Sequence, residues 1–288
     1  MITALVTLFN PDAKSIINIS SIVQQADRTI LCDNSSRSME SKFKLEKNVI
    51  YLFNNGNLGI SNAFNKVLKE DSINWDDNDF VFFFDQDTVI PEGHLRKMVT
   101  IFETAERVGI NIGCLGPAFI NTSSGMKETR YMKKELMPHL SRVNELITSS
   151  MLTRFGILRS ISFWNEELFL DLCDWDLCWR VNEHGYICAM TDETIIFHSI
   201  GKGEVKAGII KAKEGAPFRE YYQTRDCLKL INKKYTPFNQ KIRFVAQVTI
   251  RPILHLCLLP DKKERIQYIW KGVHDYIVGI DGSLEEKE

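Results

Sequence analysis

The sequence predicts an α/β fold: a mostly parallel central sheet flanked by helices, followed by a helical C-terminal extension. Three observations carry that prediction. Short apolar runs alternate with segments of helical periodicity, most of these runs end in Asp, Asn or Gly, and the most apolar of them, Phe80-Val81-Phe82-Phe83-Phe84, has no polar position on either face. A run too short for a buried helix and apolar on both faces suits the centre of a helix-covered parallel sheet. Strand–helix–strand alternation then implies right-handed crossovers.

Taken in order, residues 2–9 form a first buried strand, closed by Asn10-Pro11-Asp12, because proline holds its predecessor out of the helical region. Ile16, Ile19, Ile22 and Val23 recur at helical spacing, predicting a helix over about 12–25. Thr29-Ile30-Leu31-Cys32 is a second strand, ending on Asp33-Asn34-Ser35-Ser36. Val49-Ile50-Tyr51-Leu52-Phe53 is a third, followed by Asn54-Asn55-Gly56-Asn57-Leu58-Gly59 and a helix over about 60–70. After the central strand, Pro91-Glu92 starts a helix reaching 107, proline being tolerated in a first turn. Residues 112–120 return as a strand, and 121–146 reads as an irregular polar excursion, either a lid over a site or a surface insertion.

Length and composition bound the class. The chain has 288 residues, 44% of them hydrophobic and 25% charged, which is ordinary for a folded globular protein and excludes disordered and fibrous classes. Seven scattered cysteines without a Cys-x-x-Cys pair exclude a zinc ribbon or dithiol motif and fit a reducing compartment. The start lacks a basic leader and a cleavage site, so the chain is expected in the cytoplasm, with the inner face of the plasma membrane as a peripheral location. Net charge is −1, yet residues 202–271 hold sixteen Lys and Arg against six Asp and Glu. That local excess suits an anionic surface; no recognised reading motif accompanies it, so nucleic acid is not expected as a partner.

The chemistry concentrates in two clusters. Asp85-Gln86-Asp87 ends the central strand, and open α/β sheets place ligands at the carboxyl ends of strands. Carboxylates at i and i+2 can share a divalent cation where the chain bends, and hard oxygen donors suit Mg²⁺ or Mn²⁺; a solvated turn is the plainer reading. Gly56 and Gly59 allow close backbone approach, and amides at the helix start near Ile60 could receive phosphate or ribose oxygens. Neither Gly-x-Gly-x-x-Gly nor a phosphate loop occurs, which argues against dinucleotide enzymes and P-loop phosphotransferases. In the second cluster, Asp171, Asp174 and Asp176 alternate with apolar groups, and Asp174, Leu177, Cys178 and Val181 share a helical face. A partly desolvated Asp174 can act as a general base, with Arg180 balancing charge; a helix cap with an Asp176–Arg180 ion pair is the structural alternative. Near such a centre His198 becomes an additional metal ligand or phosphate donor, and Arg225 a diphosphate partner.

The ordered set Val6-Thr7-Leu8-Phe9-Asn10-Pro11, Asp33-Asn34-Ser35, Asn57-Leu58-Gly59-Ile60-Ser61-Asn62-Ala63-Phe64-Asn65, Asp85-Gln86-Asp87-Thr88, Glu167 to Asp174, His198-Ser199-Ile200-Gly201 and Tyr221-Tyr222-Gln223-Thr224-Arg225 resembles family 2 glycosyltransferases of the GT-A type, particularly bacterial rhamnosyltransferases. The resemblance covers about residues 1–230 and implies a nucleotide-diphospho-sugar donor. Thr7, Asn10, Asp33, Asn34, Gly59, Asn62, Asp85, Gln86 and Arg225 would then contact the donor, with Asp33 near the base and Asp85 near the ribose. Asp87 and His198 would hold Mn²⁺ or Mg²⁺ on the diphosphate. Asp174 matches the family's catalytic base, although Cys173 precedes it where many members carry Glu. Asp171, Trp175 and Arg180 would support the acceptor side. Asp-Gln-Asp resembles the rhamnosyltransferase variant and favours dTDP-rhamnose as donor, a UDP-hexose being the alternative. The implied reaction is a single inverting displacement on a glycan or lipid-linked glycan acceptor.

A catalytic domain over 1–233 and a helical extension over 234–288 follow. The extension interleaves apolar residues with Arg243, Arg251, Lys262 and Lys263, which suits docking on an anionic membrane surface; core packing or a homodimer contact is the competing account. Two further readings remain. A nucleotidyltransferase would need a basic Gly-rich loop that residues 8–13 lack, and a catalytically silent scaffold would not need the acids at 85, 87, 171 and 174.

Overall fold

Strand and helix alternate through the first half of the chain in the computed structural model: β1 (Ile2–Leu8), α1 (Ala13–Val23), β2 (Arg28–Asp33), β3 (Val49–Phe53), α2 (Gly59–Leu68), β4 (Phe80–Asp85), α3 (His94–Arg107) and β5 (Ile112–Asn121). The second half adds β6 (Met126–Glu128), β7 (Lys134–Met137), β8 (Leu140–Arg142), β9 (Met151–Arg154), α4 (Phe155–Ser160), α5 (Cys173–Glu183), β10 (Ile187–His198), β11 (Glu204–Ala207) and β12 (Ile210–Lys213). Three helices close the chain: α6 (Arg219–Asn232), α7 (Phe238–Leu258) and α8 (Lys262–Val278). The structure describes residues 1–122, 125–128, 134–198, 204–207, 210–213 and 216–284. Ser199, Ile200 and Gly201 of the motif after His198 lie outside the described residues, as do residues 123–124 and 129–133 of the polar excursion.

The main sheet has the order β3-β2-β1-β4-β9-β5-β10-β8-β7, with β6 on β5. β3, β2, β1 and β4 are mutually parallel, as is the β5–β10 pair. β9 lies antiparallel between β4 and β5. It joins the two parallel parts, so the sheet is mixed although its site-bearing half is parallel. In β4, Val81, Phe82, Phe83 and Phe84 are wholly buried, as an apolar run without alternation requires. Phe83 meets Phe64 of α2 at 4.7 Å and, edge-on, Trp164 at 4.8 Å, so one ring ties the sheet to a helix and to the loop before α5.

Two expectations need correction. Helix α3 starts at His94, not at Pro91, because Gly93 takes a left-handed φ of 71°. Fully buried among polar neighbours, His94 sits 2.7 Å from both Thr194 Oγ1 and Ser150 Oγ, and burial pushes its pKa down to about 4. It is therefore a neutral brace between β10 and the turn before β9. The 121–146 stretch is less irregular than its composition implies: β6 pairs with β5, while β7 and β8 extend the sheet beyond β10.

The C-terminal helices are fastened to the remainder by buried polar bonds. Glu220 of α6 accepts from Arg265 at 3.1 Å and lies 2.6 Å from His255 Nδ1. Tyr235 donates to Asp176 at 2.6 Å, and Gln240 donates to Glu145 at 3.0 Å. After α8 the chain turns back: the carbonyl of Gly282 accepts from Arg225, and Leu284 N–H donates to Tyr222 Oη at 2.8 Å.

Removing the Phe83 ring should leave a cavity at the junction of sheet, helix and loop. Phe83→Ala is expected to lower unfolding free energy by about 4 kcal/mol, read from a denaturant titration with unchanged slope.

Candidate active site

Parallel pairing sets the carboxyl ends of three strands side by side, Leu8 opposite Asp33 and Thr7 opposite Asp85. The loops leaving that edge bound a cleft of about 590 Å³, large enough for a nucleotide-sized ligand. Thr7, Asn34, Gly59, Asp85, Gln86 and Asp87 line it, as the sequence led one to expect. Gln86 clips two strand ends together: Phe9 N–H donates to its Oε1 at 2.8 Å, and its Nε2 donates to the Phe9 carbonyl at 3.2 Å. Asn34 donates to the Gly59 carbonyl at 3.0 Å and accepts from Asn54 at 3.0 Å.

Gly59 marks a close approach. A Cβ there would lie 2.4 Å from the Phe169 carbonyl oxygen, and the residue also needs its φ of 78°. The same carbonyl accepts the Ile60 N–H at 2.8 Å, and Gly59 N–H donates to Asn57 Oδ1 at 2.9 Å. The helix-start amides that the sequence offered to phosphate are thus engaged within the protein. Further along α2, Asn65 donates to the Trp164 carbonyl at 2.9 Å and to Glu166 at 2.8 Å, and accepts from Trp164 N–H at 3.0 Å. This helix clamps the second chemical cluster against the first.

Asp85, Asp87 and His198 converge as the sequence suggested, their ligand atoms within 4.8 Å of one another. A two-way backbone bridge between Val89 and Phe197 brings the end of β10 beside the loop after Asp87. Ser149 Oγ donates to Asp85 at 2.6 Å and lies 3.1 Å from His198 Nδ1. Burial, aided by the charge of Asp87, pushes the Asp85 carboxyl up against the opposing effects of His198 and Ser149. For His198, burial acts downward, but the hydrogen bond to Asp87 and the charges of Asp85, Asp87 and Asp174 raise it overall. Two hard carboxylates and an imidazole, with negative charge in excess, fit Mn²⁺ or Mg²⁺.

Asp174 stands in the first turn of α5, its Oδ1 accepting the Trp175 N–H at 2.9 Å. Burial first, then the charges of Asp85 and Asp171, push its carboxyl up to about 7. A carboxyl with that value exchanges a proton near neutrality, as a general base must. Asp171 lies 3.6 Å from Arg219 through one oxygen, while the other is buried without a hydrogen-bond partner.

Several residues singled out in the sequence are elsewhere. Asp33 is fully buried and accepts from Ser35 N–H, Met39 N–H and Tyr51 Oη. Burial would raise its pKa, but these bonds hold it below the usual range, and it shapes the turn rather than the cleft surface. Asn10 is exposed with φ of 47°, its N–H donating to Ser35 Oγ at 2.7 Å. Asn62 faces the Glu166 carbonyl at 3.4 Å. Trp175 packs on Trp179 and under the Arg243 guanidinium. Arg180 pairs with Asp176 at 2.7 Å and donates to the Ile161 and Phe163 carbonyls, so the ion-pair alternative describes it. Arg225, expected on the diphosphate, is fully buried against Asp226 at 2.8 Å and Tyr221 at 3.0 Å.

Cleft residues that sequence reasoning missed come from the far end of the chain. Phe218, Arg219 and Tyr222 at the start of α6, together with Ser283 and Leu284, form one wall. Phe169 and Tyr222 stack at 4.8 Å with an 11° interplanar angle. The Arg219–Tyr222 spacing places both on one helical face, a signal available in the sequence. Nothing local marks Ser283 and Leu284, which only long-range packing brings to the cleft, or Ser149, which it brings against Asp85 and His198.

A family model described as "Glycosyl transferase family 2" matches residues 9–162. The dTDP-rhamnosyl transferase RfbF of Shigella flexneri is 24% identical over 295 residues, covering 98% of this chain and 96% of that protein. Two solved structures share the fold. The structure of S. aureus TarS 1-349 superposes with a TM-score of 0.54 at 13% identity, covering 97% of this chain and 92% of that one. GalNAc-T7 with UDP, GalNAc and Mn²⁺ gives 0.53 at 10% identity, covering 96% of this chain and 57% of that one.

The Asp174 carboxyl carries a stability signature. In the fold it keeps its proton to about pH 7, whereas the ordinary value is 3.8, so between these pH values the folded state holds the extra proton and stability falls as pH rises. Asp174→Asn cannot ionise and retains the Oδ1 acceptor for Trp175. In metal-free protein it should be more stable than wild type by on the order of 2 kcal/mol at pH 8, converging with it towards pH 4, as read by thermal and denaturant unfolding.

Proposed function

The chain belongs to glycosyl transferase family 2, and on that premise we propose that it transfers L-rhamnose from dTDP-rhamnose, with inversion, to a glycan or lipid-linked glycan of a growing cell-surface polysaccharide. The observation that carries a transfer reaction is the coupling of Asp174, its carboxyl raised to about 7, to Asp85 and His198, which cluster with Asp87, while Asp85 and Asp87 line the cleft. Similarity to RfbF over nearly the whole of both chains supports the donor.

In this reading Thr7, Phe9 and Asn34 border the nucleoside, and Phe9, a residue 53% exposed, offers its ring for stacking. Asp85, Asp87 and His198 would hold Mn²⁺ or Mg²⁺, which when bound neutralises charge on the diphosphate. Arg219, on the cleft wall, takes the cationic role that the sequence had assigned to Arg225. Asp174 uses Oδ2, the oxygen not engaged by Trp175, to accept the proton of the acceptor hydroxyl. That hydroxyl oxygen forms the bond to the anomeric carbon as the bond to the diphosphate breaks on the opposite face. Asp171, with its unpartnered buried oxygen, orients an acceptor hydroxyl.

Calorimetric titration with dTDP-rhamnose, UDP-glucose, UDP-galactose and GDP-mannose, each with Mn²⁺ and with chelator, tests the donor. Metal-dependent preference for dTDP-rhamnose is expected; preference for a UDP-sugar would overturn the donor, and no binding to any would favour a silent scaffold. Asp87→Ala should abolish the difference between metal and chelator. Asp174→Asn should keep donor binding and lose transfer roughly 10²–10⁴-fold. Because only the deprotonated carboxyl accepts a proton, and a bound cation would lower the metal-free value of about 7, wild-type transfer should rise with pH to a plateau reached below neutrality. Transfer by Asp174→Asn near the wild-type rate would remove Asp174 from this role.

A further inference from the structure

Helices α7 and α8 have their polarity turned around. Over its 21 residues α7 buries Gln240 and His255 beside Phe244, while Phe238, Ile242, Val245, Ile250 and Ile253 are between 49% and 78% exposed. On α8, Arg265 and Asp275 are buried, whereas Ile266, Trp270 and Ile277 are 40%, 69% and 72% exposed. The buried polar groups are bonded within the protein: His255 and Arg265 to Glu220, Asp275 to Tyr221, and Gln240 to Glu145. The arrangement is therefore anchored, and the apolar stripes face outward because the inward faces are committed. Exposed apolar stripes of this extent mark a docking surface.

Charge selects the occupant. Residues 233–263 carry seven Lys and Arg against one acid, Asp261, and α7 contains no Asp or Glu. Lys234, Arg243, Lys262 and Lys263 are exposed around the stripes. A two-fold contact with a second copy would set this basic surface against itself. An anionic bilayer instead offers hydrocarbon to the stripes and headgroup charge to the cations, with Trp270 suited to the interface. Among the described residues no helix is long and apolar enough to cross a membrane, so contact would be peripheral. We propose that the outer faces of α7 and α8 dock this protein on an anionic lipid surface. The inference is independent of the donor and acceptor proposed above.

Co-sedimentation with vesicles of phosphatidylglycerol and phosphatidylcholine, against phosphatidylcholine alone, tests it on the full chain. Partition onto anionic vesicles at low ionic strength, reduced by salt, is expected, with a blue shift in tryptophan emission that Trp270→Phe removes. Lys262→Glu with Lys263→Glu should weaken partition at least about tenfold, and Ile253→Asp should weaken it comparably. Circular dichroism and the thermal midpoint serve as folding controls. Absence of partition by a folded wild-type chain would overturn the proposal. So would a stable dimer dissociated by Ile253→Asp, which would assign the face to a second copy.

Discussion

Bringing carboxylates together at a partly buried site is costly, and the structure is arranged around meeting that cost at one edge of one sheet. Asp85, Asp87 and Asp174 all act on His198, and Asp171 is close enough to raise Asp174. The charge of Asp87 makes Asp85 harder to ionise, and those of Asp85 and Asp171 do the same to Asp174. Ser149, held beside the neutral brace His94–Ser150, supplies a hydrogen bond to Asp85, and His198 supplies the countercharge. The remaining excess of negative charge suits the cation proposed for this centre, and burial first, with the charges of Asp85 and Asp171 after it, lifts the Asp174 carboxyl to about 7.

That centre depends on two distant segments being held in register. The clamp is the α2 face: Gly59 lets the backbone of Phe169 approach, and Asn65 grips Trp164 from both its donor and acceptor ends. Phe64 and Phe83 close the same junction from below through Trp164. Motif residues that resemble nucleotide contacts thus act, in part, by fixing the loop that leads to Asp174. The same holds for Arg225, whose buried pair with Asp226 and bond to Gly282 tie the returning end of the chain to the cleft wall.

The last helices reverse the usual partition of polar and apolar groups. Their inward polar groups bond to Glu220, Glu145 and Tyr221, so neither helix can turn its apolar stripe inward without breaking these bonds. The outward face is a consequence of that commitment, and the surrounding lysines and arginines give it a sign.

Much of this was legible in the residues. Phe80 to Phe84 announced a strand buried on both faces, the βα alternation announced a parallel half-sheet, and Asp85, Asp87 and His198, which the structure brings together, could be picked out because they stand at strand ends, a local feature. What the sequence by itself determined, then, was the ladder of elements and the acids at their ends, since both follow from periodicity and from where apolar runs stop. Only the tertiary structure decided that Arg219, not Arg225, faces the cleft, that Asp33 is spent inside its own turn, and that Ser149 and Leu284 reach the site. A side chain's burial and partners depend on segments far away in the chain, and no local spacing encodes which of two neighbouring arginines the packing turns inward.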